Sequence, residues 1–187
     1  MSFDLDRALR RLKPEKHKPL GRRPAAQLTF VDDEDPAGVP ILLDTCVYLH
    51  VLRGRTPHEV DGLLRTRTIH HSATALAELT HRFGARVPTD ARERSARARL
   101  AQVIRAIPSH RIVVPAVAIW GEAGIIAGLR ARLGGFAPGQ EQETLNDALI
   151  LLQARAIGAA VLTANTSDYD ILQQLEPSSR VLFYREA

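Results

Sequence analysis

Apolar and polar positions repeat along this chain with two periods, and the periods divide it into short strands and longer helices. Ile41-Leu42-Leu43 is a continuous apolar run, too short for an isolated helix, with Pro40 before it and Asp44 at its end. Such a run reads as a buried strand of a parallel sheet. From Thr45 to about Arg53 the pattern is helical and Gly54 stops it. Pro57 opens a second short helix carrying Val60, Leu63 and Leu64, and Thr66 to His71 reads as a short strand. Ser72 then precedes a helix over SATALAELTHRFG, in which Leu76, Leu79 and Phe83 form the apolar stripe, Glu78 lies off it, and Gly84 is the stop. Thr89 or Asp90 caps a long helix to about Ile107, with an exposed face of Arg92, Arg94, Arg97, Arg99 and Arg105. Ile112 to Val114 is the next strand. Pro115 opens a helix through Trp120 and Ile126 to Leu133, with Trp120 expected in the core or at a dimer interface.

Gly134, Gly135, Pro138 and Gly139 mark a flexible loop. The strongest helical pattern, Glu143 to Ile157, follows with Leu145, Leu149, Leu152 and Ala156 apolar, and Gly158 ends it. Ala160 to Leu162 is a buried strand, Tyr169 to Leu175 a short helix, and Arg180 to Tyr184 the last strand. Strands alternating with helices predict an α/β fold: a central parallel sheet of about four or five short strands with right-handed crossovers, flanked by helices in three layers. The carboxyl ends of parallel strands share one edge, where open α/β sheets bind ligands. Asp44 and the turn from Thr163 to Asp168 lie on that edge. Asp44 alone reads equally as the cap of the next helix.

Residues 1–39 break the pattern. Basic residues Arg7, Arg10, Arg11, Lys13, Lys16, Lys18, Arg22 and Arg23 precede an acidic patch at Asp32, Asp33, Glu34 and Asp35, with prolines at 14, 19, 24 and 36. Phe3, Leu5, Leu9 and Leu12 form at most a short amphipathic helix, because the prolines forbid a long one. The stretch is expected to be an extension, solvated and partly disordered, or else a basic arm for nucleic acid; residues 40–187 form the folded domain.

Length and charge add limits. The 187 residues suit one domain with some extra peptide. A formal charge of +4 leans towards an anionic partner such as nucleic acid. The single cysteine, Cys46, excludes an intramolecular disulfide and a multi-thiolate zinc site. No apolar stretch reaches the roughly 20 residues that span a bilayer, and the amino terminus has no signal-peptide centre, so a cytoplasmic protein is expected.

The chemistry rests on acids. If Asp44, Glu78, Asp147 and the Asn165–Asp168 turn converge, their oxygens repel one another unless a cation is present, and hard carboxylate oxygens suit Mg²⁺ or Mn²⁺. The segments ILLDTCVYL, SATALAELTHRFG and NDALILLQARAIGAAVLTANTSDYDIL, with the final short strand, resemble the PIN-domain ribonucleases, in particular the VapC-type toxins of bacterial toxin–antitoxin pairs. The resemblance covers roughly Ile41 to Tyr184. It implies a PIN-like fold and metal-dependent endonucleolytic cleavage of RNA, with Asp44, Glu78 and Asp147 as metal and catalytic residues and Thr163 as the small hydroxylated residue of the last motif. It also implies a cognate antitoxin, and a homodimer is the expected assembly. The fourth acidic position of many members falls on Asn165, a departure that puts a second metal in doubt; Asp168 either supplies the missing charge or only matches the acid that precedes an aromatic, here Tyr169. Thr163 and Asn165 are expected to hydrogen-bond the carboxylates or a metal-bound water.

Other readings carry less. Asp44-Thr45-Cys46 departs from the haloacid-dehalogenase phosphatases, which usually place a second Asp where Cys46 stands. Cys46 itself reads as a packed small residue rather than a nucleophile. His70 and His71 are adjacent, so they point differently on any regular element, and they read as surface or capping residues. A PIN-like fold turned into a non-catalytic RNA- or protein-binding module stays open because of Asn165.

Overall fold

The computed structural model describes residues 3–33, 37–134 and 139–187. Five short strands, β1 (Ile41–Leu43), β2 (Ile69–Ser72), β3 (Ile112–Val113), β4 (Ala160–Thr163) and β5 (Arg180–Phe183), form one sheet in the order β3-β2-β1-β4-β5 with every pairing parallel. The central strands β1 and β4 are buried along their whole length, as the continuous apolar runs ILL and AVL require when helices cover both faces. Among the described residues, eight α-helices flank the sheet or connect its strands: α1 (Leu5–Leu12), α2 (Thr45–Arg53), α3 (His58–Thr66), α4 (Ala73–Ala85), α5 (Ala91–Ala106), α6 (Val117–Gly134), α7 (Glu141–Ala156) and α8 (Thr166–Leu175). Among the described residues, no helix is long and apolar enough to cross a membrane.

Local chemistry sets the boundaries. Gly54 takes the left-handed conformation (φ 63°) that ends α2, and its amide bonds back to the carbonyls of His50 and Val51. Ser72 caps α4 through the amides of Thr74 and Ala75, and Asp90 caps α5 through the amide of Glu93. The second strand begins later than the sequence pattern implies because α3 runs on to Thr66. The helix expected from Glu143 starts two residues earlier, and the one expected from Tyr169 starts at Thr166. The expected loop at Gly134 to Gly139 contains residues 135–138, which lie outside the described residues.

Helix α7 is the centre of the core. Its residues from Asp147 to Ala154 are all buried, since it packs against α6, α8 and the sheet, as a helix apolar nearly all round must. Its one buried amide, Gln153, accepts from Ser72 Oγ (2.5 Å) and donates to the Val113 carbonyl (2.9 Å), so this amide is satisfied at both ends.

The amino-terminal stretch differs in part from expectation. Most of its described residues are solvent-exposed, as expected, but several side chains anchor it to the domain. Ala8 and Leu12 of α1 are buried and α1 lies on α6, while the Phe3 ring covers Gly121 so closely that a Cβ there has no room. Phe30 is buried and bridges Phe183, which extends the pairing beyond β5. Arg11 is paired with Glu122 and Glu176, and Arg23 donates to Asp170 Oδ1 at 2.5 Å. The proline content that argued for a tail instead breaks the chain into short 3₁₀ turns that follow the domain surface. Glu34, Asp35 and Pro36 of the acidic patch lie outside the described residues.

Candidate active site

The sheet order reverses between β1 and β4. Chain enters β1, goes to β2 and β3 on one side, and returns to β4 and β5 on the other. A crevice opens beyond the carboxyl ends at such a switch point. Asp44 is the first residue past β1 and Thr163 the last of β4, and the register Leu43 opposite Leu162 puts them side by side. The Asp44 amide donates to the Leu162 carbonyl at 3.2 Å, so the acid is fixed to the sheet at its backbone.

The Asp44 carboxylate is held on both oxygens. Its Oδ1 accepts from the Thr45 amide (2.7 Å) and from the Tyr169 hydroxyl (3.4 Å). Its Oδ2 accepts from Thr163 Oγ1 (2.7 Å) and Cys46 Sγ (3.0 Å). Asp44 therefore does cap α2, and the capping bond fixes the orientation of the same carboxylate that faces the crevice. Burial, then the Asp44 charge, pushes the Cys46 thiol pKa well up, so Cys46 is a packed donor and no thiolate nucleophile forms there. Burial and the same charge raise the Tyr169 phenol, which keeps its proton for the bond to Asp44.

Glu78 comes from the polar side of α4, where Thr74, Glu78, His81 and Arg82 recur at helical spacing and line the same cleft, with Arg86 just past the helix end. Its Oε2 accepts from Thr45 Oγ1 and its Oε1 from Asn146 Nδ2 (2.8 Å). Burial is the main cause that raises its pKa; those two hydrogen bonds oppose the rise, and the Asp44 and Glu143 charges add to it.

Asp147 projects from the first half of α7 into the deepest part of the cleft. Its pKa lies well above the usual carboxylate range, first because of burial and then because of the charges of Asp44, Asp168 and Glu78. Its polar neighbour is Asn165, whose Nδ2 lies 3.4 Å from Asp147 Oδ2 and 3.0 Å from Asp168 Oδ2. Asn165 also caps α8, accepting from the Asp168 amide at 3.2 Å, while its own amide donates to Thr163 Oγ1 (2.9 Å). Where the family's pattern places a fourth acid, this chain has an amide that ties two acids together. Asp168 is in turn met by Arg130, which donates to its Oδ1 at 3.2 Å.

All the acids read from the sequence thus line one cleft of about 1180 Å³, together with Asn165; Thr163 lies behind Asp44. Sequence reasoning missed Thr45, Asn146 and Arg130. Thr45 and Asn146 each adjoin a site acid in the chain, which is the one signal they gave; Arg130, a cation buried on a largely apolar helix, is recognisable only once the helix is placed. Trp120, expected in the core or at a dimer interface, lines the cleft and is 50% exposed. His70 and His71 lie on β2, with His71 Nδ1 2.7 Å from the Tyr48 hydroxyl, and burial lowers the pKa of both.

The donor set is hard oxygen throughout, which fits a divalent cation of the Mg²⁺ class. Among the described residues, no group of three His, Cys, Asp or Glu side chains is arranged to hold a metal. That still suits Mg²⁺, which keeps several waters and binds through one or two carboxylates plus substrate phosphates.

Comparison with known proteins agrees with this architecture. The profile of the PIN domain family matches residues 41–171. Among solved structures, the chain is similar to one of VapBC2 from Rickettsia felis bound to a DNA fragment from its promoter, at 17% identity and a TM-score of 0.53, covering 78% of this chain and 99% of that one. It is similar also to one of FitAcB from Neisseria gonorrhoeae, at 22% identity and a TM-score of 0.53, covering 77% and 96%. No curated protein sequence matches it. With the profile spanning most of the chain and both ends of the acidic cleft inside it, this chain belongs to the PIN domain family, whose members are generally nucleases.

Proposed function

We propose that this chain is a Mg²⁺- or Mn²⁺-dependent endoribonuclease of the VapC kind, the toxin of a toxin–antitoxin pair. One observation carries the reading: four acids from four separate elements share a single crevice, and one of them, the buried Asp147, feels the charge of the other three. Carboxylates so placed destabilise the fold unless a cation offsets them, which is a reason to keep them only for chemistry.

Asp44 and Asp147 would hold a divalent ion, with Asp168 beside them, and such an ion would supply activation of water and offset charge in an in-line displacement at phosphorus. Thr163, the Thr45 amide and Cys46 hold Asp44 in one orientation, and Glu78, fixed by Thr45 and Asn146, would orient the attacking water. The water oxygen bonds to phosphorus and gives up a proton to solvent as the bond to the leaving ribose oxygen breaks and that oxygen takes up a proton from solvent, leaving one phosphate end and one hydroxyl end. Asn165 positions Asp147 and Asp168 rather than binding a second ion. The family resemblance and the likeness to chains from VapBC2 and FitAcB support a cognate antitoxin as partner; a cytoplasmic location and a homodimer belong to the same proposal. The division at residue 40 into extension and nuclease domain belongs to the same reading, with the extension packed on the domain.

Incubating the protein with RNA in Mg²⁺ or Mn²⁺ should give cleavage that EDTA abolishes and that Asp44→Asn lacks. Asparagine keeps the helix cap, so the variant should fold. Full cleavage in EDTA, or by Asp44→Asn, overturns the metal mechanism. RNA binding with no cleavage under any divalent ion identifies a binding module instead, the reading that Asn165 favours.

A further inference from the structure

The cleft joins three kinds of side chain that lie far apart in the sequence. The acids form its inner part. On α4, exposed His81 and Arg82 continue outward from Glu78, and exposed Arg86, the residue just past the helix, joins the same lining. At the start of α6, Trp120 presents half of its surface to the opening, with Val114 and Pro115 in the same lining. The segment bearing Trp120 is anchored from behind, since the Phe3 ring of the amino-terminal stretch packs on Gly121. A large indole held on a braced helix start and left exposed at the mouth of an acidic, arginine-flanked cleft has an evident use. Proteins that bind single strands combine a basic track for the phosphates with an aromatic face on which a base stacks.

We propose that Trp120 stacks on a base of single-stranded RNA and, with Arg82 and Arg86, positions the strand across the acidic cleft; the inference rests on the nuclease reading for its choice of ligand. Aromatic and basic residues are not interleaved along the chain, but the fold brings them together on one cleft. Arg86 also pairs with Glu93 at 2.5 Å, so Arg82 is the better single probe of the phosphate contact. A second copy of this chain is the competing occupant of the exposed apolar groups. Val114, Val117 and Trp120 are too few for it, because a stable interface buries roughly 800 Å² on each partner. An unpaired base needs only the one aromatic face.

Trp120 is the chain's single tryptophan, so its fluorescence reports this site alone. Asp44→Asn protein should be titrated with an oligoadenylate of about 12 nucleotides, binding being followed independently by anisotropy of labelled RNA. Indole fluorescence should be quenched in step with binding, and a fully paired duplex of equal length should quench far less. On the same background Trp120→Ala should bind about tenfold more weakly, Trp120→Phe should recover most of the loss, and Arg82→Gln should weaken binding while lowering its salt dependence. Binding without quenching, or equal quenching by duplex, overturns the stacking role and leaves the nuclease reading intact. Quenching by RNA in a protein whose wild type never cleaves supports the stacking role and removes the nuclease reading. No RNA binding at all overturns both, and a fluorescence change that follows protein concentration without RNA assigns Trp120 to a contact between copies.

Discussion

Two sets of buried acids in this molecule have opposite surroundings. On the side of the amino-terminal stretch, Glu176 is nearly inaccessible, yet Arg11 and Arg155 both reach it, the latter at 2.9 Å, and both also reach Glu122. Burial by itself would raise the Glu176 pKa, but hydrogen bonds from Arg11 and Ser178 and the charges of both arginines hold it below its ordinary value. In the cleft, Asp147 and Glu78 are also buried, but their strongest charged neighbours are other acids, and their pKa values are raised. The difference separates acids that serve the fold from acids that serve a reaction. A matched acid gains from ionising in the folded state, whereas an unmatched one stores repulsion that an added cation relieves.

The largest effect expected from breaking the contrast is on activity. Asp147→Asn should lower RNA cleavage by more than about a hundredfold, beyond the loss typical of groups that only orient a metal ligand. The same change should raise the metal-free melting temperature near pH 7.5, since it removes a repelling charge. A fall in that temperature with cleavage retained would make Asp147 a structural residue.

Next in size is the opposite change in the other set. Glu176→Ala leaves Arg11 and Arg155 facing one fewer carboxylate in a partly buried place, and should cost about 2 kcal/mol in urea unfolding, less than a fully buried pair because both arginines keep some solvent. Activity per folded molecule should not change. A loss of activity that exceeds the loss of folded protein would tie this network to the cleft.

A smaller effect distinguishes the sets by pH. The folded-state pKa values of Asp147 and Glu78 lie above those of the unfolded chain, so their contribution is full below the unfolded pKa and is lost as pH rises through the folded values. Glu176 has the reverse sign: its contribution is present above the unfolded pKa and is lost as pH falls through its lowered folded value. Metal-free wild type should therefore melt higher near pH 5.5 than near pH 7.5, by a difference that Asp147→Asn reduces and Glu176→Ala leaves in place. Added Mg²⁺ should stabilise the wild type most at the higher pH, by binding the folded state alone. An identical pH response in Asp147→Asn would refute the repulsion argument.

The smallest expected effect lies at Asp168, a cleft acid with a cationic partner. Because Arg130 and Asn165 both donate to it, Asp168→Asn should reduce cleavage about tenfold, within the range for groups that support a metal ligand. A loss as large as that for Asp147 would instead make Asp168 the replacement for the acid absent at Asn165.

The local pattern alone determined a large part of this protein. ILLD, AVLT and RVLF are strands because each is apolar and too short for a helix, and the alternation of such runs with 3.6-residue periodicity leads to a parallel sheet with one functional edge. Because that edge lies at the carboxyl ends, Asp44 was legible as a site residue from its position after the strand, and Glu78 from lying off the apolar stripe of its helix. Long-range packing decided the rest. Nothing local says that Arg11 meets Glu176, 165 residues away, or that Phe30 pairs beside β5, so the proline-broken amino-terminal stretch read as a tail until its partners were in place. Trp120 read as a core or dimer-interface residue rather than a stacking platform, because aromatic and basic residues are not interleaved along the chain, and only the placement of α6 beside the cleft showed it exposed there. The role of Asn165 was likewise hidden: its composition says only that a charge is missing, whereas the tertiary structure sets its amide between Asp147 and Asp168, where it donates to both.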